Sequence, residues 1–272
     1  MNDIQPRPQT TVCVTSEIVK LVVLGSGTSI PHADRAAAGY WLETESGRAL
    51  LDISADAPHR MAREKLDWVN LEAIWISHFH LDHIGGLAPF LFGTRAAPQI
   101  QQRVQSLRIY GPVGFIKILQ TIDQSNGYRL LSQPFPVELN EVKPGSEFEL
   151  LPGLTAATFS TAHTRESLAI RLKDKSGTVL VYTSDTGYSE ELGEFAKGAR
   201  VLLMECSFFK NKPVNTHLEL TEAIQLARKC RPQKLVLSHL YFEWDGIDLA
   251  TEAQKLWPGE TIAAFDGLRL EF

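Results

Sequence analysis

The stretch Ser77-His78-Phe79-His80-Leu81-Asp82-His83-Ile84-Gly85-Gly86 packs three imidazoles and one carboxylate into the six residues from His78 to His83. These donors suit zinc, manganese or iron. Alternate residues of an extended segment point the same way, so His78 and His80 can grip one ion together. If the chain then turns into a helix, Asp82 and His83 face a second position beside the first. Gly85 and Gly86 would let the backbone pass close to the ions without a side-chain clash. Only 8 histidines occur in 272 residues, so three in one short window argue for a site rather than a histidine-rich surface loop.

The surrounding elements must carry these groups to one place. The apolar run Leu71 to Ile76 reads as a short buried strand leading into the motif, and Ala57 to Glu64 as a helix before it. Lys20 to Leu24 is a strand followed by Gly25-Ser26-Gly27, which lacks the third glycine and the helix of a dinucleotide fingerprint. Pro31 stands where that helix would begin. The segment reads instead as a loop at the rim of a site, with backbone N–H groups available to an anion. Gly39 to Glu43 and Ala49 to Ile53 form a hairpin around Ser46-Gly47, and Asp52 ends its second strand among apolar neighbours. A buried carboxylate needs partners; orienting a ligating histidine and capping a turn are both open to it.

Further on, Leu87 to Phe92 and Val113 to Gln120 read as helices flanking the strand Leu107 to Tyr110. Phe135 to Val142, Phe148 to Leu151 and Leu154 to Phe159 read as a β meander ending near His163. Leu168 to Leu172 and Thr178 to Tyr182 form a hairpin. Glu190 to Ala196 is a short helix, Val201 to Met204 a strand ending at Glu205, and Leu220 to Cys230 an amphipathic helix. One device recurs: Ile76-Ser77-His78, Thr183-Ser184-Asp185 and Leu237-Ser238-His239 each set a donor directly after a strand, where layered α/β folds gather their sites.

The length lies near the size at which one hydrophobic core stops growing, which predicts a loose tail over residues 1–17 and one large domain of two similar halves over 18–272. A net charge of −5 gives no global basic field, so any nucleic-acid contact must come from a local patch. No window approaches a membrane span and no leader pattern opens the chain, which reads as a cytoplasmic protein without a membrane partner. Cys13, Cys206 and Cys230 form no Cys-x-x-Cys pair and read as reduced thiols, against a separate structural zinc site.

The order Asp52, His78-x-His80-x-Asp82-His83, His163, Asp185, His239 resembles the metallo-β-lactamase superfamily over about residues 20 to 272. The resemblance implies an αββα sandwich with two divalent ions at the sheet ends, zinc foremost, manganese and iron as alternatives. It places one ion on His78, His80 and His163 and the other on Asp82, His83 and His239, with Asp185 as bridge and Asp52 behind the site. Within the superfamily, Gly25-Ser26-Gly27, Pro31, Arg35, Tyr110-Gly111-Pro112, and Glu205 with Phe208 and His217 are similar to the ribonuclease Z-like branch. The chain departs from the tRNA-processing members of that branch at Ala33, Ala36, Met204 and Glu243-Trp244. It also has a tight hairpin where they carry a tRNA-binding arm.

These readings imply a dinuclear metal-dependent hydrolase acting on a small or single-stranded phosphodiester, such as a cyclic nucleotide or a short RNA end, through a hydroxide shared between the ions. Asp82 enters the catalytic set, and His217, steadied by Glu205, is the candidate general acid. Hydrolysis of a lactone, ester or thioester by the same ions is the alternative; a redox di-iron protein and a non-catalytic binding protein rank below it. A homodimer is expected by analogy with the branch.

Overall fold

The computed structural model describes residues 19–272, so the tail over residues 1–17 and Cys13 lie outside the described residues. The first half of the chain runs β1 (Lys20–Gly25), β2 (Gly39–Thr44), β3 (Gly47–Ile53), α1 (Ala57–Arg63), β4 (Ala73–Trp75), α2 (Leu81–Ile84), α3 (Leu87–Thr94), β5 (Leu107–Pro112), α4 (Phe115–Asn126) and β6 (Val137–Val142). The second runs β7 (Glu147–Leu151), β8 (Leu154–Ser160), β9 (Leu168–Asp174), β10 (Gly177–Tyr182), α5 (Glu190–Phe195), β11 (Val201–Glu205), α6 (Leu220–Cys230), β12 (Lys234–Ser238), α7 (Leu249–Leu256), β13 (Glu260–Ala263) and β14 (Arg269–Glu271).

The strands form two seven-stranded sheets, ordered β14-β1-β2-β3-β4-β5-β6 and β13-β12-β11-β10-β9-β8-β7. Each sheet begins antiparallel and becomes parallel, the change falling at β3 to β4 in the first and at β10 to β11 in the second. The expected likeness of the two halves is visible in that shared pattern. β14 then returns from the end of the chain to pair with β1.

Burial on both faces explains why these strands read as apolar runs rather than alternations. In β1, Leu21 and Val23 face the other sheet, where they meet residues such as Ile170, Leu180 and Leu203. Val22 and Leu24 face the helices with Trp41, Met61, Phe90 and Phe115. On the far side, Val181, Leu202 and Leu235 pack under Leu192, Ala223, Ile224 and Ala253 of α5, α6 and α7. Three apolar layers thus separate four layers of structure, the αββα sandwich. Met204 lies in this outer layer, under the helices. Among the described residues, no helix is long and apolar enough to cross a membrane.

Several expectations need correction. β6 is parallel to β5 in the first sheet, whereas β7 and β8 pair antiparallel in the second, so residues 135–159 are not a meander. The chain crosses between sheets at Lys143 to Ser146, a step that strand-like patterning cannot register. The segment from Leu249 to the C-terminus, unread in the sequence, supplies α7 and one edge strand to each sheet. Gly86 is also needed for packing: a Cβ there would sit 2.0 Å from the Ser54 carbonyl oxygen. Its N–H donates to the Ile53 carbonyl at 2.8 Å, tying the motif to the end of β3.

Candidate metal centre

Strand ends bring the predicted residues together. Asp52 closes β3, His78 follows β4, His163 follows β8, Asp185 follows β10, Glu205 closes β11 and His239 follows β12. Three of the turns that aim these groups use left-handed backbone at a non-glycine residue: Asp52 (φ 57°), Ser184 (φ 56°) and His239 (φ 59°). Such conformations cost roughly 1–3 kcal/mol each and gather at functional sites. α2, one turn long, then places Asp82 and His83 behind His80.

Two polar relays fix the imidazoles. Asp52, fully buried, accepts from the Ser77 N–H at 2.7 Å, the Ser77 hydroxyl at 2.7 Å, the Tyr182 hydroxyl at 2.8 Å and His83 Nδ1 at 2.7 Å. Because Ser77 Oγ donates to Asp52, it accepts from His78 Nδ1, 2.9 Å away. In the second relay Ser207 Oγ donates to Glu205 at 2.6 Å and accepts from His239 Nδ1 at 3.0 Å. His163 Nδ1 donates to the Thr216 carbonyl at 2.9 Å. In each ring the proton is held on Nδ1, so the Nε2 lone pair faces inward.

Those inward atoms meet one another and two carboxylates. The Nε2 atoms of His78, His83 and His239 are buried and have no hydrogen-bond partner. His163 Nε2 lies 3.1 Å from His80 Nδ1. Asp185 Oδ2 lies 3.8 Å from His78 Nε2, 3.6 Å from His163 Nε2 and 3.4 Å from His239 Nε2, while Oδ1 lies 3.3 Å from His83 Nε2. Asp82 Oδ2 lies 3.7 Å from His83 Nε2 and 3.5 Å from His239 Nε2. Lone pairs held this close repel unless cations stand between them. Donors about 2.0–2.1 Å from a tetrahedral ion stand roughly 3.3 Å apart, the spacing seen here. The residues are therefore positioned to bind metal ions, in three overlapping sets: His78, His80, His163 and Asp185; Asp82, His83 and His239; and Asp185, His217 and His239.

Burial and the close charges also shift the pKa values of these groups. Burial lowers the His78 pKa well below the usual histidine range, and the neighbouring His83 adds to it. For His83 burial works the same way, but Asp185 and Asp52 outweigh it and the pKa rises. Asp185 resists protonation despite its burial, because His239 and His83 hold it ionised. A cation bound among them would supply the positive charge that a protonated His83 otherwise gives to Asp185.

His217 sits beside the cluster. Its ring lies parallel to that of His239 at 5.4 Å, and its Nδ1 donates to Glu205 Oε1 at 3.0 Å. Burial disfavours its imidazolium, yet the bond to Glu205 and that residue's charge prevail and raise the pKa. Glu205 is itself fixed by the N–H groups of Thr186 at 2.6 Å and Leu218 at 3.0 Å.

Sequence reasoning did not find Ser77, Ser207 or Tyr182. Ser77 had a signal, since a serine precedes a donor at three strand ends, whereas Ser207 and Tyr182 reach the site only through the fold. The anion-binding expectation for Gly25-Ser26-Gly27 is not met. The Ser26 N–H donates to Asp266 at 2.9 Å and the Gly27 N–H to the Ala36 carbonyl at 2.8 Å. The glycine at 25 is required because a Cβ would lie 1.8 Å from the Ala37 carbonyl oxygen.

Asp52→Ala removes the common acceptor of four buried donor groups, from Ser77, Tyr182 and His83. Metal affinity should fall about 10–100-fold, and metal-free stability by about 3–5 kcal/mol, read by metal titration and by urea unfolding. Unchanged affinity would show that His83 holds its orientation unaided.

A family model described as a beta-lactamase superfamily domain matches residues 48–240. The chain is 26% identical to the Bacillus subtilis protein named "Probable metallo-hydrolase YhfI", over 92% of this chain and 98% of that one. It is 23% identical to the ribonuclease Z of Archaeoglobus fulgidus over 93% of this chain and 98% of that one. The crystal structure of YhfI, described as a metallo-beta-lactamase fold protein, superposes with a TM-score of 0.80 at 25% identity, covering 94% of this chain and 100% of YhfI. With the family match spanning most of the described residues and the two-sheet architecture in place, the chain belongs to the beta-lactamase superfamily and has the metallo-β-lactamase fold.

Proposed function

We propose that residues 18–272 form one hydrolase domain that uses two divalent ions to cleave a small or single-stranded phosphodiester. The observation that carries this reading is the set of inward imidazole lone pairs facing Asp82 and Asp185, with the protonatable His217 held at its edge. In it, His78, His80 and His163 hold one ion, Asp82, His83 and His239 the other, and Asp185 both. Zinc fits the mixed nitrogen and carboxylate donor set. When bound, such ions act as Lewis acids and lower the pKa of water from about 16 to about 7.

The remaining work falls to the protein. Asp52 and Ser207 keep the rings aimed, and the burial of His78 and His239 keeps bulk water from them. His217, its Nδ1 proton committed to Glu205, presents Nε2 to the departing oxygen and can deliver a proton there. The sequence likeness to a ribonuclease Z supports a phosphodiester as substrate. One observation favours an acyl substrate instead: Ile30 and Leu81, 44% and 78% exposed, add two apolar side chains to the lining of the cleft beside Asp82.

Metal-replete protein offered bis-p-nitrophenyl phosphate, cyclic nucleotides, short RNA, lactones and thioesters separates the two. Preferential turnover of phosphodiesters is the expected result. Turnover of lactones or thioesters with inert phosphodiesters would replace the proposal with the acyl reading.

A further inference from the structure

The loop between β1 and β2 forms one wall of a cleft of about 560 Å³ that opens beside Asp82. Its base is fastened by carboxylates from elsewhere in the chain. Asp266 accepts from the Ser26 N–H and hydroxyl, both at 2.9 Å, and from the Ala36 N–H at 2.8 Å. Asp56 accepts from the Ala37 N–H at 3.2 Å.

The tip is fastened differently. Arg35 Nη2 donates to Asp245 Oδ1 at 2.7 Å and to the Tyr241 carbonyl at 3.3 Å. His32 Nδ1 accepts from the Asp34 N–H at 3.1 Å, so its proton sits on Nε2, which donates to Asp245 at 3.1 and 3.2 Å. Asp245 directly follows the short turn Phe242–Trp244 after His239. It therefore joins the loop tip to the segment that carries a candidate ion-holding residue.

His32 and Arg35 are the basic side chains of this loop, and both line the cleft. Both are committed to Asp245. A single-stranded polynucleotide is held by cations along its successive phosphates; the clasped loop offers none, and the other basic side chains of the cleft are Arg60, paired with Glu64 at 3.2 Å, and Arg63 on α1. The clasp is also held by few bonds: Arg35 Nε is buried with no partner, so without Asp245 only the longer bond to the Tyr241 carbonyl retains the guanidinium.

We infer that Asp245 is a specificity-determining positioning residue. By occupying Arg35 and His32 it holds the rim loop in place as one wall of the cleft and confines the substrate to a diester whose alcohol part fits that space. This rests on the proposed phosphodiesterase function and narrows it to small diesters.

The test compares wild type, Asp245→Ala and the double variant Asp245→Ala/Arg35→Ala on bis-p-nitrophenyl phosphate and on a six-nucleotide RNA. Asp245→Ala should raise kcat/KM for the RNA about tenfold through KM, with turnover of the small diester within twofold of wild type. The freed guanidinium adds one phosphate contact, so the logarithmic salt dependence of RNA binding should steepen by about 0.7. The double variant should lose both gains, and Asp245→Glu should keep wild-type behaviour. Fluorescence anisotropy with the labelled RNA reads the affinity and salt slope without turnover. RNA binding and kinetics that do not change, or losses in parallel on both substrates, overturn the clasp. If wild type cleaves no phosphodiester the proposed function fails, and the anisotropy slope still decides the clasp.

Discussion

Asp185→Asn is expected to leave the protein folded but unable to hold its ions, with activity lower by at least about 10³-fold. That carboxylate stands 3.3–3.8 Å from the inward nitrogens of four histidines and is the one group shared by both halves of the cluster. An amide presents one oxygen and one NH2 group and carries no charge, so it cannot satisfy two cations at once. Each ion contributes several kcal/mol of charge stabilisation, and each 1.36 kcal/mol is tenfold in rate, which sets the size of the loss. Elemental analysis should find fewer than two ions per chain. Thermal unfolding should show the same defect, because an ion bound only by the native state stabilises it by roughly 4 kcal/mol at a thousandfold excess over Kd. Zinc added to metal-stripped wild type should raise Tm, and added to Asp185→Asn it should not. A variant that retains two ions and the Tm response would remove Asp185 from the proposed bridging position.

His217→Ala should behave in the opposite way, keeping both ions while losing catalysis selectively. Its Nδ1 is engaged by Glu205, and a ring nitrogen lies within 4.8 Å of donor atoms of Asp185 and His239. As a general acid it should contribute about 10²–10⁴-fold for an alkoxide leaving group and far less for p-nitrophenolate, which departs without a proton. The ratio of the two losses is therefore the diagnostic, measured as kcat/KM on a ribonucleotide diester and on bis-p-nitrophenyl phosphate. The structure sharpens the control, because Asp185, His217 and His239 could themselves hold an ion. If His217→Ala loses metal, His217 is a ligand and the acid role is wrong. Equal losses on both substrates with the metal retained would also exclude it. Glu205 is the poorer position to probe, because it also accepts from Thr186, Leu218 and Ser207 and its removal would disturb two strand ends.

The residue types of the centre were legible in the chain because metal chemistry restricts them sharply. Three imidazoles and a carboxylate in one hexapeptide, with His163, Asp185 and His239 each following a strand, are local facts. So were most strands and helices, since burial on both faces writes itself as continuous apolar runs. Met204 shows the limit, because strand periodicity does not say which sheet face meets the helices.

What only the tertiary structure decided is where long-range partners fall. Nothing in residues 135–159 says that the chain changes sheets at Lys143, because both sides of the crossing have the same apolar patterning. The proton-fixing relays through Ser77 and Ser207 depend on Asp52 and Glu205 arriving from other strands. In sequence Arg35 is only a residue of the rim loop that is similar to the ribonuclease Z-like branch; in the fold it is held by Asp245, 210 residues away. The sequence by itself determined which donors exist and that they follow strands, since composition and local periodicity are carried along the chain. Which lone pairs face inward, and which cations remain free, depend on contacts between distant segments that only the folded chain makes.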